Sequence, residues 1–424
     1  LKKSIAREKR ISIFSRAQKM SDEHARAVQL ALNGDNLFIT GPAGCGKSQI
    51  IRKLVENFEA TGRTFDVAAS TASAAYNLDL GASTLQSLFA FSELSEVASP
   101  RWNLKQALII DECSMVGPAL FAKMDELARQ ARKSDQPMGG LQVILVGDFL
   151  QLPPVPNSDK KLQTKEEFIF EMSLWFAMRF KPVVLRTAFR QRDPLFAGIL
   201  NRIRTGTQSE ADVALLETNV PDPDGGQPTC LFATNDKVSE CNSRYLQQLE
   251  SKVSYEWKPD FDKDGVPLED LVKKVKTNFQ PVVLRVGARV MLTANLSQKD
   301  GLVNGARGVV HSLVDNCPVV QFRACRAMIQ PRRVVHELIG GKVAVVYMPL
   351  TLAWAMSIHK SQGHTLERVS VNCNEVRNPG QLYVALSRAT ALSGIDVKGL
   401  RKSIKSHRSV SEKAVKFYEG LKIN

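Results

Sequence analysis

Long apolar runs are missing from this 424-residue chain: 44% of its residues are hydrophobic, yet no uninterrupted stretch approaches the length a bilayer-spanning helix needs. The expectation is a soluble protein with no membrane contact. Aromatic residues are few, at 7%, which makes base-stacking platforms a poor expectation; Phe89, Phe91, Trp102 and Trp354 read first as core. The seven cysteines, at positions 45, 113, 230, 241, 317, 325 and 373, never fall in a C-x-x-C spacing, so they form neither a disulfide framework nor a zinc site and read as reduced thiols. No repeat or low-complexity tract is present. Acidic residues are in deficit, with 43 Asp and Glu against 57 Lys and Arg for a net charge of +14. That excess favours a polyanionic partner, nucleic acid first, although charge alone leaves a basic but inert surface equally open.

The length suits two or three domains of ordinary size. A start at Leu1 rather than Met suggests a trimmed chain in which targeting signals are invisible. Residues 1–20 form a basic segment (Lys2, Lys3, Arg7, Lys9, Arg10). A helical stretch then precedes a strand at 36–40, and further apolar strands recur at 65–69, 107–110 and 141–146 with helical segments such as 118–133 between them. This alternation predicts a parallel sheet with helices on both faces. The polar, Pro/Gly/Asp-rich stretch 220–229 is the linker candidate. Beyond it, 230–233 opens a second domain, and short β segments over 282–322, with turns at Asn304-Gly305 and Arg307-Gly308, suggest a small inserted barrel. A strand at 369–373 and a helix at 380–387 restore the α/β pattern. The reading is an α/β chain with two parallel-sheet domains, 21–220 and 221–424, the second carrying a small β-barrel insertion near 282–345.

The strongest local signal is Gly41-Pro-Ala-Gly44-Cys45-Gly46-Lys47-Ser48, a G-x-x-x-x-G-K-S match between a strand and a helix. Its glycines let backbone N–H groups approach phosphates, the helix N-terminus favours their charge, Lys47 reaches the outer phosphates and Ser48 binds magnesium. The apolar strand ending in Asp111-Glu112 supplies a metal carboxylate, Asp111, and a base for the attacking water, Glu112. Gln151, in Gly147-Asp148-Phe-Leu-Gln151 after a third strand, is placed to sense the γ-phosphate.

Together with Ala69-Ser-Thr71-Ala, Asp125-Glu-Leu-Ala-Arg129, Pro137-Met-Gly-Gly140, Phe189-Arg190-Gln191, Gly301-Leu-Val-Asn304-Gly305, the run from Trp354 through His359-Lys360-Ser361-Gln362-Gly363, and Tyr383-Val-Ala-Leu-Ser387-Arg388, these elements resemble the Pif family of DNA helicases, in the B branch of helicase superfamily one. The match runs from about Met20 to Tyr418. The resemblance implies two RecA-like domains with ATP and Mg2+ in the cleft. It implies nucleotide contacts from His24, Gly44, Cys45, Gly46, Lys47, Ser48, Gln49, Gln151 and Gly363, and cationic fingers at Arg190 and Arg388, an effect on the order of 10³-fold in rate; either arginine alone also reads as a surface ion-pair partner. For single-stranded DNA it points to Thr71, Thr84, Gln86, Ser87, Thr234, His359, Lys360 and Ser361, with a wedge inserted near 84–103. His24 stands where the family has an adenine-reading glutamine, so a plain helix-face residue is the alternative. Gln86, Met138 and His364 also depart from common family residues.

The implied function is an ATP-dependent helicase moving 5′ to 3′ on single-stranded DNA and opening duplex, forked or structured DNA, in genome maintenance. The implied solution state is a monomer, in the nucleus or mitochondrion of a eukaryote or the cytoplasm of a bacterium. The alternatives are an ATP-switched nucleic-acid binder that does not unwind and a P-loop kinase.

Overall fold

The structure is a computed structural model that describes residues 22–421 apart from 72–73, 76–77, 79, 81, 89–103, 155–165, 188, 192, 221–225, 252, 265–278, 298, 339–340 and 407–408. The basic segment 1–20 and most of the expected wedge lie outside the described residues.

The apolar runs become the centre of a six-stranded sheet. β1 (Leu37–Thr40), β2 (Phe65–Ala69), β3 (Ser83–Thr84), β4 (Ala107–Asp111), β5 (Gln142–Gly147) and β6 (Lys181–Val184) lie in the order β3-β2-β4-β5-β1-β6, every pair parallel. Every residue of β1, β4 and β5 is buried, as a strand covered on both faces requires. Side chains alternate between two cores because the strand period is two. Leu37, Ile39, Ile109, Ile144 and Val146 pack with α1 (Asp22–Leu32) and α2 (Lys47–Ala60). Phe38, Leu108, Ile110 and Leu145 face the opposite way, against α3 (Pro118–Arg132) and the aromatic group Phe149, Phe168 and Trp175. α3 opens with proline at its first position, where the missing N–H costs nothing.

The second sheet contains β7 (Thr229–Phe232), β8 (Ala355–Ser357), β9 (Val369–Asn372) and β10 (Ile395–Lys398), in the order β8-β7-β9-β10 and again all parallel. Between the helix Asn235–Gln247 and β8 sits the β insertion. Strands Arg326–Met328, Cys317–Phe322, Arg307–Val314, Arg289–Leu292 and Leu350–Leu352 form an antiparallel sheet, packed with the ribbon Ser254–Trp257/Val282–Arg285 around Leu284, Val290, Val310 and Val320. A hairpin, Arg332–Leu338 with Gly341–Tyr347, pairs with Asp260–Asp264. The insertion therefore extends beyond 282–345 at both ends. Among the described residues no helix is long and apolar enough to cross a membrane.

The division at 220 is corrected by the packing. Phe196, Ile199, Leu200 and Ile203 of the helix Pro194–Thr205, with Val213 and Leu216 of Glu210–Thr218, share a core with Leu231, Val371, Leu382 and Ile395. The chain thus enters the second domain between Val184 and Pro194. The helix Glu412–Leu421 leaves that domain again: its Ala414 and Tyr418 join Phe38 and Phe149 in the first core, and Phe417 stacks on Phe170 with centroids 4.3 Å apart. An amphipathic helix shows that it has an apolar face but not which sheet that face meets.

Candidate active site

β1 delivers the chain into the glycine loop, where Gly44 and Gly46 take positive φ (79° and 88°). A Cβ on Gly44 would collide with Cβ of Arg190, and one on Gly46 would come within 2.9 Å of Nε2 of His24. Only glycine fits either position. α2 begins at Lys47 with no side-chain cap from Gly46, so its first N–H groups face the loop as an anion cradle. Ser48 and Gln49 are exposed in that first turn. The Lys47 ammonium donates to the carbonyls of Gly41 (2.7 Å) and Pro42 (2.9 Å). Burial pulls its pKa down, but Cys45, Asp148, Glu112 and Tyr383 together outweigh burial and raise it, so the lysine is a fixed positive charge. Burial raises the pKa of the Cys45 thiol.

Asp111 ends β4 and is buried, accepting the Glu112 N–H at 2.9 Å. Burial first, then the adjacent Glu112 charge, push its pKa up to about 7. A carboxyl held there gains by exchanging its proton for a metal cation, so Asp111 with the Ser48 hydroxyl suits Mg2+. Glu112 adopts left-handed backbone angles (φ 51°, ψ 45°), uncommon for a residue with a side chain. Its Oε2 accepts from Nε2 of Gln362 in the second domain at 2.9 Å.

Behind the loop lies a buried network that the sequence reading passed over. Asp148, fully buried, pairs with both Nε (2.8 Å) and Nη2 (2.7 Å) of Arg204 and accepts from the Tyr418 hydroxyl at 3.2 Å. That hydroxyl also meets Thr40 Oγ1 at 2.5 Å, at the last residue of β1. Burial alone raises the Asp148 pKa, but Arg204 outweighs it and leaves the carboxyl below its ordinary value. Gln151, chosen as the phosphate sensor, is buried with Nε2 on Asp148 Oδ2 at 3.2 Å. The sequence signal for the network was Asp148 itself, a charge leaving a wholly apolar strand. Nothing in the spacing names Arg204 or Tyr418 as its partners.

The opposite wall comes from the segment after β6 and the helix Gln381–Leu386. Ala43 N–H donates to the Tyr383 hydroxyl at 2.7 Å. Arg190 Nη1 reaches the Ser387 carbonyl at 3.2 Å, while Gln191 Nε2 bonds to Ser387 (3.2 Å) and Ala389 (3.1 Å). Arg388 is 1% exposed and donates to the carbonyls of Val384 (2.8 Å), Ser361 (3.3 Å) and His364 (3.3 Å) and to Ser387 Oγ (2.8 Å). Burial and the neighbouring Arg190 push its pKa down to about 9, against Glu112 and Tyr383. Burial also lowers that of Arg190. Two guanidiniums and a carboxylate thus converge beside the glycine loop, a setting that stabilises developing negative charge.

His24 is buried beside Gly46 and meets the Phe189 ring edge-on at 6.1 Å. Burial lowers its pKa against the pull of Glu23, so the imidazole is neutral at pH 7. Gly363 sits in an exposed turn with φ 82°.

The nucleic-acid candidates cluster beyond the carboxyl ends of the strands, where open α/β sheets bind ligands. Thr71 follows β2, its Oγ1 accepting from Ala74 N–H at 3.1 Å, and Thr84 closes β3. Gln86 and Ser87 lie in the short helix Leu85–Leu88, with their side chains outside the described residues. Thr234 is exposed at the start of Asn235–Gln247 without capping it. After β8, His359 is half-buried and Lys360 exposed. Ser361 is a correction: it is fully buried and its Oγ donates to the Ile358 carbonyl at 2.7 Å, so it faces away from any strand. Trp354 is also buried, stacked on Tyr245 at 5.9 Å, while Phe89, Phe91 and Trp102 lie outside the described residues.

Residues 14–213 match the family model PIF1-like helicase, and residues 270–313 match DNA helicase Pif1, 2B domain. The chain is 36% identical over 414 residues to the ATP-dependent DNA helicase PIF1 of Homo sapiens; the alignment takes in 92% of this chain and 62% of the human protein, so the chain spans about six tenths of that relative. It is similar to a crystal structure of Pif1 helicase from Candida albicans, with a TM-score of 0.81 and 31% identity over 95% of this chain and 99% of that one. A Pif1 helicase from Bacteroides, solved with ADP-AlF3 and ssDNA, matches with a TM-score of 0.70 and 29% identity over 95% of this chain and 97% of that one.

Proposed function

Since the chain belongs to the PIF1-like helicase family, we propose that it is an ATP-dependent DNA helicase that moves 5′ to 3′ along single-stranded DNA. Its substrates are forked, duplex and structured DNA, including G-quadruplexes and RNA–DNA hybrids, in replication, repair and telomere maintenance. It works as a monomer, in the nucleus or mitochondrion of a eukaryote or the cytoplasm of a bacterium. The observation that carries the reading is the junction at the glycine loop, where Glu112 meets Gln362 across the domain boundary, beside Arg190 on the Ser387 carbonyl.

Lys47 and the N-terminus of α2 hold the phosphates, and Ser48 and Asp111 would hold Mg2+, which would neutralise charge on the phosphate oxygens. Glu112, oriented by Gln362, accepts the proton of the attacking water. Arg190 and Arg388 stabilise the charge that spreads over the transferring group. Because these groups come from both domains, a change in cleft closure alters their fit, and the same closure changes the spacing between Thr71 and Thr84 on one domain and Thr234 and Lys360 on the other.

The test is strand displacement on duplexes with a 5′ or a 3′ tail, with phosphate release measured in parallel. Unwinding from the 5′ tail only, abolished by Lys47→Ala, is expected. Phosphate release without displacement would instead make the chain an ATP-switched binder, and displacement from the 3′ tail alone would reverse the polarity.

A further inference from the structure

A cavity of about 760 Å³ lies between the second sheet and the β insertion, and its walls include Arg289, Arg307, Arg323 and Arg368. No residue of the glycine loop lines it, although Gly363 and His364, which follow the Gln362 that meets Glu112, do. Thr229, the first residue of β7, and Arg368, immediately before β9, both line it. It therefore opens at the amino ends of the parallel strands, whereas Thr234 and Lys360 follow the carboxyl ends.

Arg289 and Arg307 sit on adjacent antiparallel strands. Arg289 pairs with Val309, two residues from Arg307, so both arginines project from the same face as diagonal neighbours, within reach of each other's long side chains. Burial, then the neighbouring Arg289, lowers the Arg307 pKa to about 10. Their hydrogen bonds go to neutral atoms. Arg289 Nη1 donates to the Gln227 carbonyl at 2.7 Å, and Arg307 donates to Thr229 Oγ1 and to Met356 Sδ. A guanidinium carries five N–H donors, so among the described residues most of this capacity is unspent on protein. The one acid in the cavity wall, Glu367, is engaged by Arg323 at 2.9 Å. Two half-buried cations side by side, with no carboxylate on either among the described residues, are costly unless an anion joins them. The volume falls in the range of small-molecule sites.

We propose that this cavity is a second anion site, in which Arg289 and Arg307 together grip the phosphate of a nucleotide-sized ligand. The planar, forked donors of two arginines suit phosphate oxygens.

The probe is inorganic pyrophosphate, titrated calorimetrically into the full chain carrying Lys47→Ala, which removes the main phosphate ligand of the glycine loop. Binding is expected to persist in that variant and to weaken at least tenfold when Arg289→Gln and Arg307→Gln are added. Ala324→Glu, at an exposed position on the rim, places a negative charge at the cavity without removing a buried arginine; it should weaken binding too and decides the matter if the double variant does not fold. Absence of binding in the Lys47→Ala chain, or binding indifferent to these substitutions, overturns the proposal. Displacement of pyrophosphate by a 12-nucleotide single strand would assign the phosphate to a nucleic-acid backbone, and displacement by AMP alone to a free nucleotide. Displacement by neither overturns the nucleotide class. Hydrolysis plays no part in this test, so it stands or falls apart from the helicase reading.

Discussion

Gln362 Nε2 lies 2.9 Å from Glu112 Oε2 and donates to it across the domain boundary. The amide has no other role within reach, since its Oε1 is buried without a partner among the described residues. A hydrogen bond to a charged group contributes roughly 1.5–3 kcal/mol. Gln362→Ala should therefore lower kcat for DNA-stimulated phosphate release by about 10- to 100-fold, with KM for ATP little changed. A raised KM at unaltered kcat would show that Gln362 only binds nucleotide.

Among the described residues, the Asp148–Arg204 pair is the most buried ion pair that joins the two domains, with side chains 0% and 13% exposed. Removing one partner strands a buried charge, at a cost of about 3–5 kcal/mol. Arg204→Ala should lower the unfolding midpoint in urea accordingly, and Tyr418→Phe should cost less because Arg204 still holds the carboxylate. An Arg204→Ala chain as stable as the parent would mean that Asp148 finds another cation.

Asp111 makes stability depend on pH in the direction opposite to an ordinary ion-paired carboxylate. Its folded pKa is raised to about 7 from 3.8, so between those values the folded chain holds a proton that the unfolded chain has lost. Stability from this group is present below pH 4 and declines as pH rises to 7. Asp111→Asn should flatten that part of the pH–stability profile. Magnesium with a nucleotide should recover the lost stability in the parent chain but not in Asp111→Asn.

Single-strand binding should be strongly salt-dependent. If about six phosphates are neutralised, log K should fall against log salt with a slope of roughly −4. Lys360→Ala should reduce that slope by about 0.7, while Ser361→Ala should leave it unchanged, because the Ser361 hydroxyl is spent on Ile358. Equal effects from the two substitutions would restore Ser361 to the interface.

Much of the site was legible because its signals are local. A glycine loop between a strand and a helix, an acidic pair at a strand end and an arginine after Phe189 are each read within a few residues, and the structure brings these residues together around one cleft. The rest depends on contacts between residues far apart in the chain. Arg204 is 56 positions from Asp148 and Tyr418 is 270, and helical periodicity reveals neither pairing. Ser361 misled for a related reason: a small polar residue beside Lys360 reads as surface, but the turn of the helix Ile358–Ser361 points it inward. The polar stretch at 220–229 was a genuine break in the pattern, yet the domains part earlier, where an ordinary strand-to-helix passage carries no compositional mark.

The return of the helix Glu412–Leu421 to the first domain means that the chain passes between domains twice, once after Val184 and once after Ser406. A single tether would let two bodies swing in any direction, whereas two attachment points define a line. Two crossings therefore favour rotation about the line that joins them over free swinging about a single point.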